Sequence, residues 1–124
     1  MEIKITTDMV LPAPKTLDQL KDDKLQELRD AFNSKSLRPR VDTGLGYYVD
    51  GSYADLRNFE IGQEFGLQFI KDADGADHPA TAGDYDLVIA AIKQHGLDLY
   101  QWKWAKGQEI AACTTEAAIN AVVI

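Results

Sequence analysis

The strongest constraint on this chain is a patterned segment held between prolines. Leu11-Pro12-Ala13-Pro14-Lys15 sets two prolines one residue apart, and the next proline is Pro39. Proline fixes its own φ, lacks an N–H and pushes the preceding residue toward extended geometry, so no helix runs across either boundary. Between them, Thr16 offers a side-chain oxygen as a cap, and Asp18 sits in the first turn, where the helix dipole favours negative charge. Leu17, Leu20, Leu25, Leu28 and Phe32 recur at helical spacing, while Asp18, Lys21, Asp22, Asp23, Glu27 and Asp30 fill the other positions. This pattern predicts an amphipathic helix over 17–34. Residues 1–16 read as an N-terminal strand or arm (Glu2-Ile3-Lys4-Ile5-Thr6 alternates) and a proline-containing linker, and 17–124 as a single domain.

Beyond Pro39 the patterning changes period. Val41 to Val49 carries β-formers interrupted by Gly44 and Gly46, which suits a hairpin with a tight turn. Asp50-Gly51-Ser52 supplies a turn and a cap for a helix of about three turns marked by Tyr53, Leu56, Phe59 and Ile61, closed by Gly62 or Gly66. Leu67 to Lys71 reads as a strand followed by a polar turn at Asp72-Ala73-Asp74-Gly75, and pairing with 45–49 would give one small antiparallel sheet. Thr81-Ala82-Gly83-Asp84 approximates a capping box ahead of Tyr85, Val88, Ile89 and Ile92. His95-Gly96 reads as a C-cap or kink before a second helical stretch, and Thr114-Thr115-Glu116 restarts a last helix with an apolar end that must be packed. The fold class expected is α+β: a small antiparallel sheet or hairpin packed with three to five helices, the C-terminal half helical.

Chemistry is harder to find. With 45% hydrophobic and 27% charged residues in 124, the chain has the composition of a globular protein and not of a disordered tail. A net charge of −7 opposes binding to a phosphate backbone, so no nucleic acid is expected. Lys35, Arg38 and Arg40 around Pro39 form the one local exception, read as a solvated loop. Neither a secretory signal nor a membrane-spanning run is present in the sequence, and no membrane partner is expected.

Gly44-Leu45-Gly46 fails as a dinucleotide fingerprint because Val49 stands where the third glycine belongs. Asp72, Asp74 and Asp77 around Gly75 are weak metal candidates. A calcium loop of the EF-hand type would need glycine at 77 and glutamate at 83, where the chain has Asp77 and Gly83. His78 and His95 have no sequence neighbour that makes a metal pair, and His95 would complement a helix C-terminus. Cys113, between an alanine pair and a threonine pair, reads as a core thiol. No catalytic residue, metal or cofactor is expected, and the chain reads as a non-enzyme.

Trp102-Lys103-Trp104 is the most distinctive triplet. On a helix, residues two apart point in nearly opposite directions, so at most one tryptophan faces a given core and the other is half-exposed or packed on a partner. Trp102, Trp104 and Tyr100, with Tyr47 and Tyr48, are the partner-binding residues expected.

The order of these motifs over about residues 20 to 122 resembles a family. It runs from the Leu20-Lys21 to Arg29 helix after Pro-Ala-Pro, through aromatics and glycines before Asp50, to Ser52 with Leu56-Arg57-Asn58. Phe69 to Asp74-Gly75, His78, Thr81-Ala82, Lys103, Ile110 and Thr114-Thr115 follow. The sequence is similar to a phage and prophage domain found in tail-fibre assembly-like accessory proteins, with a short arm where longer relatives carry a fuller N-terminal domain. The resemblance implies a protein that helps fold, trimerise, cap or decorate a tail fibre, in the host cytoplasm during assembly or on the virion tail. It brings no catalytic residue. The implied partner is a tail-fibre protein or another tail component, with self-association left open. The alternative function is an acidic inhibitor or decoy of a host nucleic-acid-binding enzyme.

Overall fold

The computed structural model describes residues 13–124, and the 2–6 strand and Pro12 expectations lie outside them. In chain order the elements are α1 (Leu17–Leu37), β1 (Arg40–Asp42), β2 (Tyr48–Asp50), α2 (Tyr53–Glu64), β3 (Phe69–Lys71), β4 (Asp77–Pro79), α3 (Ala82–Ala111) and α4 (Glu116–Ala121). The fold is α+β, with a helical C-terminal half.

Capping explains where three of the helices start. Thr16, Ser52 and Thr81 each accept a hydrogen bond from the backbone N–H three residues on, and Gln19, Asp55 and Asp84 return one to the cap N–H. Each reciprocal pair satisfies two otherwise orphaned donors, a contribution of about 1 kcal/mol per cap. α1 runs three residues past the expected 34, since Pro39 forbids helix only from its own ring and the residue before it. Gly66, not Gly62, closes α2. At φ +72° it lets its own N–H bond Gln63 O and the Leu67 N–H bond Gly62 O, the two closing bonds of a Schellman end. Gly62 lies within α2 against the Tyr85 ring, where a Cβ would come within 3.2 Å of the phenol oxygen.

The strands do not form one sheet. β1 pairs with β2 and β3 with β4, both antiparallel, with Val41 opposite Val49 and Ile70 opposite His78. A backbone hydrogen bond from Ala73 N–H to Tyr48 O, 2.8 Å, ties the second hairpin to the first. The 67–71 strand finds its nearest partner across the five-residue turn at 72–76, which closes a smaller loop than pairing with 45–49 would. β4 escapes sequence reading because Asp-His-Pro has low strand propensity. Pro79 is tolerated there because the ladder bonds of this pair run through Gln68, Asp72, Ala76 and Ala80 around it.

α3 corrects a second expectation. His95-Gly96 neither caps nor divides it, and one helix of 30 residues continues to Ala111. Gly96 keeps helical φ, no proline follows, and the buried positions continue on both sides with Ile92 and Ile110. His95 therefore meets no helix end and complements no dipole.

Two apolar clusters flank α3. Val41, Val49, Ile70 and Ala80 pack on Tyr85, Val88 and Ile92 from its N-terminal half. Leu28, Cys113, Ile119 and Val122 pack on Ile110 near its C-terminal end, with Trp102 at the margin. The apolar C-terminus is packed through Val122, while Val123 is exposed. Gly51 shows how tight the first cluster is: a Cβ there would overlap Val41 Cγ2, and Val41 is buried and stiff at χ1.

Ile110→Ala is expected to lower unfolding free energy by about 2–5 kcal/mol in urea titration, as removal of a fully buried side chain does. Gly51→Ala is expected to cost about 1–3 kcal/mol by overpacking, although alanine ordinarily stabilises a chain relative to glycine.

Candidate interaction surface

At about 3.6 residues per turn, Lys93, Gly96, Tyr100, Trp104 and Gly107 share one face of α3, beside the face that buries Ile92 and Ile110. That face is open. Tyr100 is 64% exposed and Trp104 69%, and Leu97 at its rim is 51% exposed. Opposite them α1 presents Leu25, Leu28 and Arg29, and the groove between the helices encloses about 370 Å³. A second hollow of about 260 Å³ shares Tyr100 and extends the groove past Phe32 and Gly96 to Tyr53 and Leu56.

The wall is held by aromatic and cationic contacts. The Phe32 and Tyr100 rings lie 5.0 Å apart at 51°, and Lys103 Nζ stands 4.4 Å from the Phe32 centroid. Leu25, Arg29, Phe32 and Lys103 complete a surface that sequence reading begins only at Tyr100 and Trp104. The signal available for them is periodicity: Leu25, Leu28 and Phe32 form the apolar stripe of α1, but which of them stay uncovered depends on how α3 packs against it.

The five expected aromatics do not make one patch. Trp102 turns away from Trp104, packs at the margin of the second cluster and lies 5.1 Å under Lys35 Nζ. Tyr48 is half-exposed beneath the Arg40 guanidinium, and Tyr47 stacks on His78 with centroids 3.9 Å apart and planes 9° apart. Tyr47 and Tyr48 belong to the hairpin surface, and only Tyr100 and Trp104 line the groove.

The polar candidates are committed to structure. Asp72 Oδ1 accepts from the Asp74 and Ala76 backbone N–H groups, and Oδ2 lies 2.7 Å from His78 Nε2. An ionised carboxylate only accepts, so His78 carries its proton on Nε2 here. These hydrogen bonds, His78 first, hold the Asp72 carboxyl below its usual range. Asp74 is bridged by both guanidinium nitrogens of Arg40 at 2.9 and 3.2 Å, and Asp77 pairs with Lys71. Among the described residues no group of three His, Cys, Asp or Glu side chains could hold a metal ion. Arg38 meets Asp50 and Asp55, so neither arginine beside Pro39 is free to bind an anion.

Other features offer less. A cleft of about 630 Å³ opens between the end of α2 and the start of α3, near the exposed Phe65, Leu67 and Phe69. Three of its polar side chains are already bonded: Gln63 to Ala82 O and Asp86, Thr81 to its cap, and Tyr85 O–H to Phe69 O at 2.6 Å. Burial raises the Tyr85 phenol, which keeps it a donor. Cys113 is buried, with its Sγ–H donating to Glu109 O at 3.3 Å. No helix among the described residues is long and apolar enough to cross a membrane.

No family model, curated protein or solved structure matches this chain.

Because the Asp72 carboxyl is depressed, its contribution is fully present above the unfolded aspartate value of about 3.9 and is lost as pH falls through the lower folded value. Asp72→Asn is expected to flatten the acid limb of stability against pH in that window. Acid denaturation followed by circular dichroism reads it.

Proposed function

We propose that this chain is a phage tail-fibre accessory protein that acts by protein–protein binding, with the Tyr100 and Trp104 face of α3 as its contact surface. The observation that carries the binding part is the exposure of two large aromatic side chains, four residues apart, beside an apolar groove. Tryptophan and tyrosine contribute most to interface energetics when a partner desolvates them, and a contact of this kind needs no chemistry. The fibre as partner rests on the order of motifs from Leu20 to about residue 122. In that role the protein works as an assembly factor, chaperone or decoration, in the host cytoplasm during assembly or on the virion tail.

The decoy alternative draws on the net charge of −7 and would need a diffuse negative face. The paired acids of the hairpins and the start of α2 favour the aromatic surface instead, since Asp50, Asp55, Asp74 and Asp77 each face a lysine or arginine.

Co-expression with the tail-fibre protein of the same genome tests the proposal. The wild-type chain is expected to raise fibre solubility and to co-purify with it. Trp104→Ala should weaken association by about 30-fold, the size of a typical hot-spot loss of about 2 kcal/mol, while stability changes by less than about 0.5 kcal/mol. Trp102→Ala should show the reverse, a stability loss with association retained in the folded fraction. Absence of co-purification with any tail component would sink the fibre reading.

A further inference from the structure

The charges around the groove differ from those around the hairpins. Of the charged residues, 20 are acidic and 13 are basic, yet the groove is lined by Arg29, Lys93 and Lys103 and by no carboxylate. None of these three is ion-paired among the described residues, whereas Arg38, Arg40 and Lys71 on the hairpins all are. Arg29 bonds only the neutral Gln26 side chain, and Lys103 rests on the Phe32 ring. An apolar trough rimmed by three uncompensated cations selects an occupant that brings apolar side chains and carboxylates together.

The shape of the trough points to the occupant's backbone. Gly96 and Gly107 lie on the open face of α3, eleven residues apart, and at about 1.5 Å per residue they stand roughly 16 Å apart. A Cβ at either would meet nothing within 4 Å, and neither has positive φ, so no contact within the chain requires glycine. Glycine inside a helix is destabilising, and its recognised use is to let another backbone approach closely. About three turns of a second helix fit along that span, with Tyr100 and Trp104 between the low points.

We propose that the α1–α3 groove binds an acidic amphipathic helix of about three turns, its apolar stripe seated over Gly96, Tyr100 and Gly107 and its Asp or Glu side chains paired with Arg29, Lys93 and Lys103. This inference rests on the binding surface of the proposed function and names the chemistry of the partner segment. It does not depend on that segment belonging to a tail fibre.

The probe is a synthetic peptide of about four turns, long enough to cover the groove, with leucines at helical spacing flanked by glutamates. Its control carries lysine at each glutamate position, and binding to the full chain is followed by calorimetry and by tryptophan fluorescence. The glutamate peptide should bind at least tenfold tighter than the control. The preference should collapse in Arg29→Glu/Lys103→Glu, and binding should fall at least tenfold in Gly107→Met, whose melting temperature stays at or above that of the wild type. Equal binding of both peptides, preference for the lysine peptide, or no effect of Gly107→Met would overturn the inference. So would concentration-dependent dimerisation abolished by Gly107→Met, since a second copy would then be the occupant. Glutamate-peptide binding without fibre association would remove the fibre reading alone, and Trp104-dependent fibre association without peptide binding would remove this inference alone.

Discussion

Continuity of α3 through Gly96 is the constraint on which the rest of the structure depends. Its 30 residues extend about 45 Å, and neither apolar cluster is complete without them. The N-terminal half supplies Tyr85, Val88 and Ile92 to the cluster under the hairpins and α2, and the C-terminal end supplies Ile110 to the cluster under α1 and α4. Short strands of three residues could not hold two hairpins alone. They are fixed because Val41, Val49 and Ile70 are buried against the helix and because the Tyr85 hydroxyl reaches Phe69 O. The open groove follows from the same arrangement, for α2 and α1 cover different parts of α3 and leave Tyr100 at the junction between them.

Charge is used differently at the two ends of the molecule. In the sequence, Asp72, Asp74 and Asp77 resemble a cluster waiting for a cation. In the fold each is given its own partner, and the partners come from separate elements: Arg40 from β1, Lys71 from β3 and His78 from β4. Exposed pairs of this kind contribute little singly. The Asp72 hydrogen bonds do more structural work, since the carboxylate satisfies two turn N–H groups and fixes the imidazole that stacks on Tyr47, thereby joining the two hairpins.

What sequence reading recovers is local. Three helix caps, one of them read as a capping box, the α1 stripe, both turns and the opposed directions of Trp102 and Trp104 depend on residues within about four positions of one another, and all are legible. What it misses is settled by contacts distant in sequence. His95-Gly96 has the composition of a helix end, but the interruption never forms because buried positions on both sides hold the helix to two different cores. The 67–71 strand is the exception, since it could pair with either neighbour and the shorter loop decides. The site divides in the same way: Tyr100 and Trp104 are visible as unusual aromatics, while Arg29 and Phe32 become part of it only when α1 packs against α3. Tyr47 and Tyr48, adjacent and alike in sequence, separate because strand neighbours face opposite sides.

The groove carries a cost that the rest of the fold does not share. Gly96 and Gly107 each weaken α3 by about 1 kcal/mol relative to alanine, and Tyr100 and Trp104 leave apolar surface in water. For a chain of this size, whose stability is typically a few to about 15 kcal/mol, two interior helix glycines are a substantial fraction. Gly66 and Gly75 adopt positive φ at turns, and Gly62 clears the Tyr85 ring. Gly96 and Gly107 have no such reason within the chain, and they lie along one groove with the exposed Tyr100 and Trp104 and with Arg29 and Lys93, which make no ion pair among the described residues. A pre-formed wall of this kind also reduces the ordering cost of association, because Phe32 and Lys103 already fix the Tyr100 side of the trough before any partner arrives.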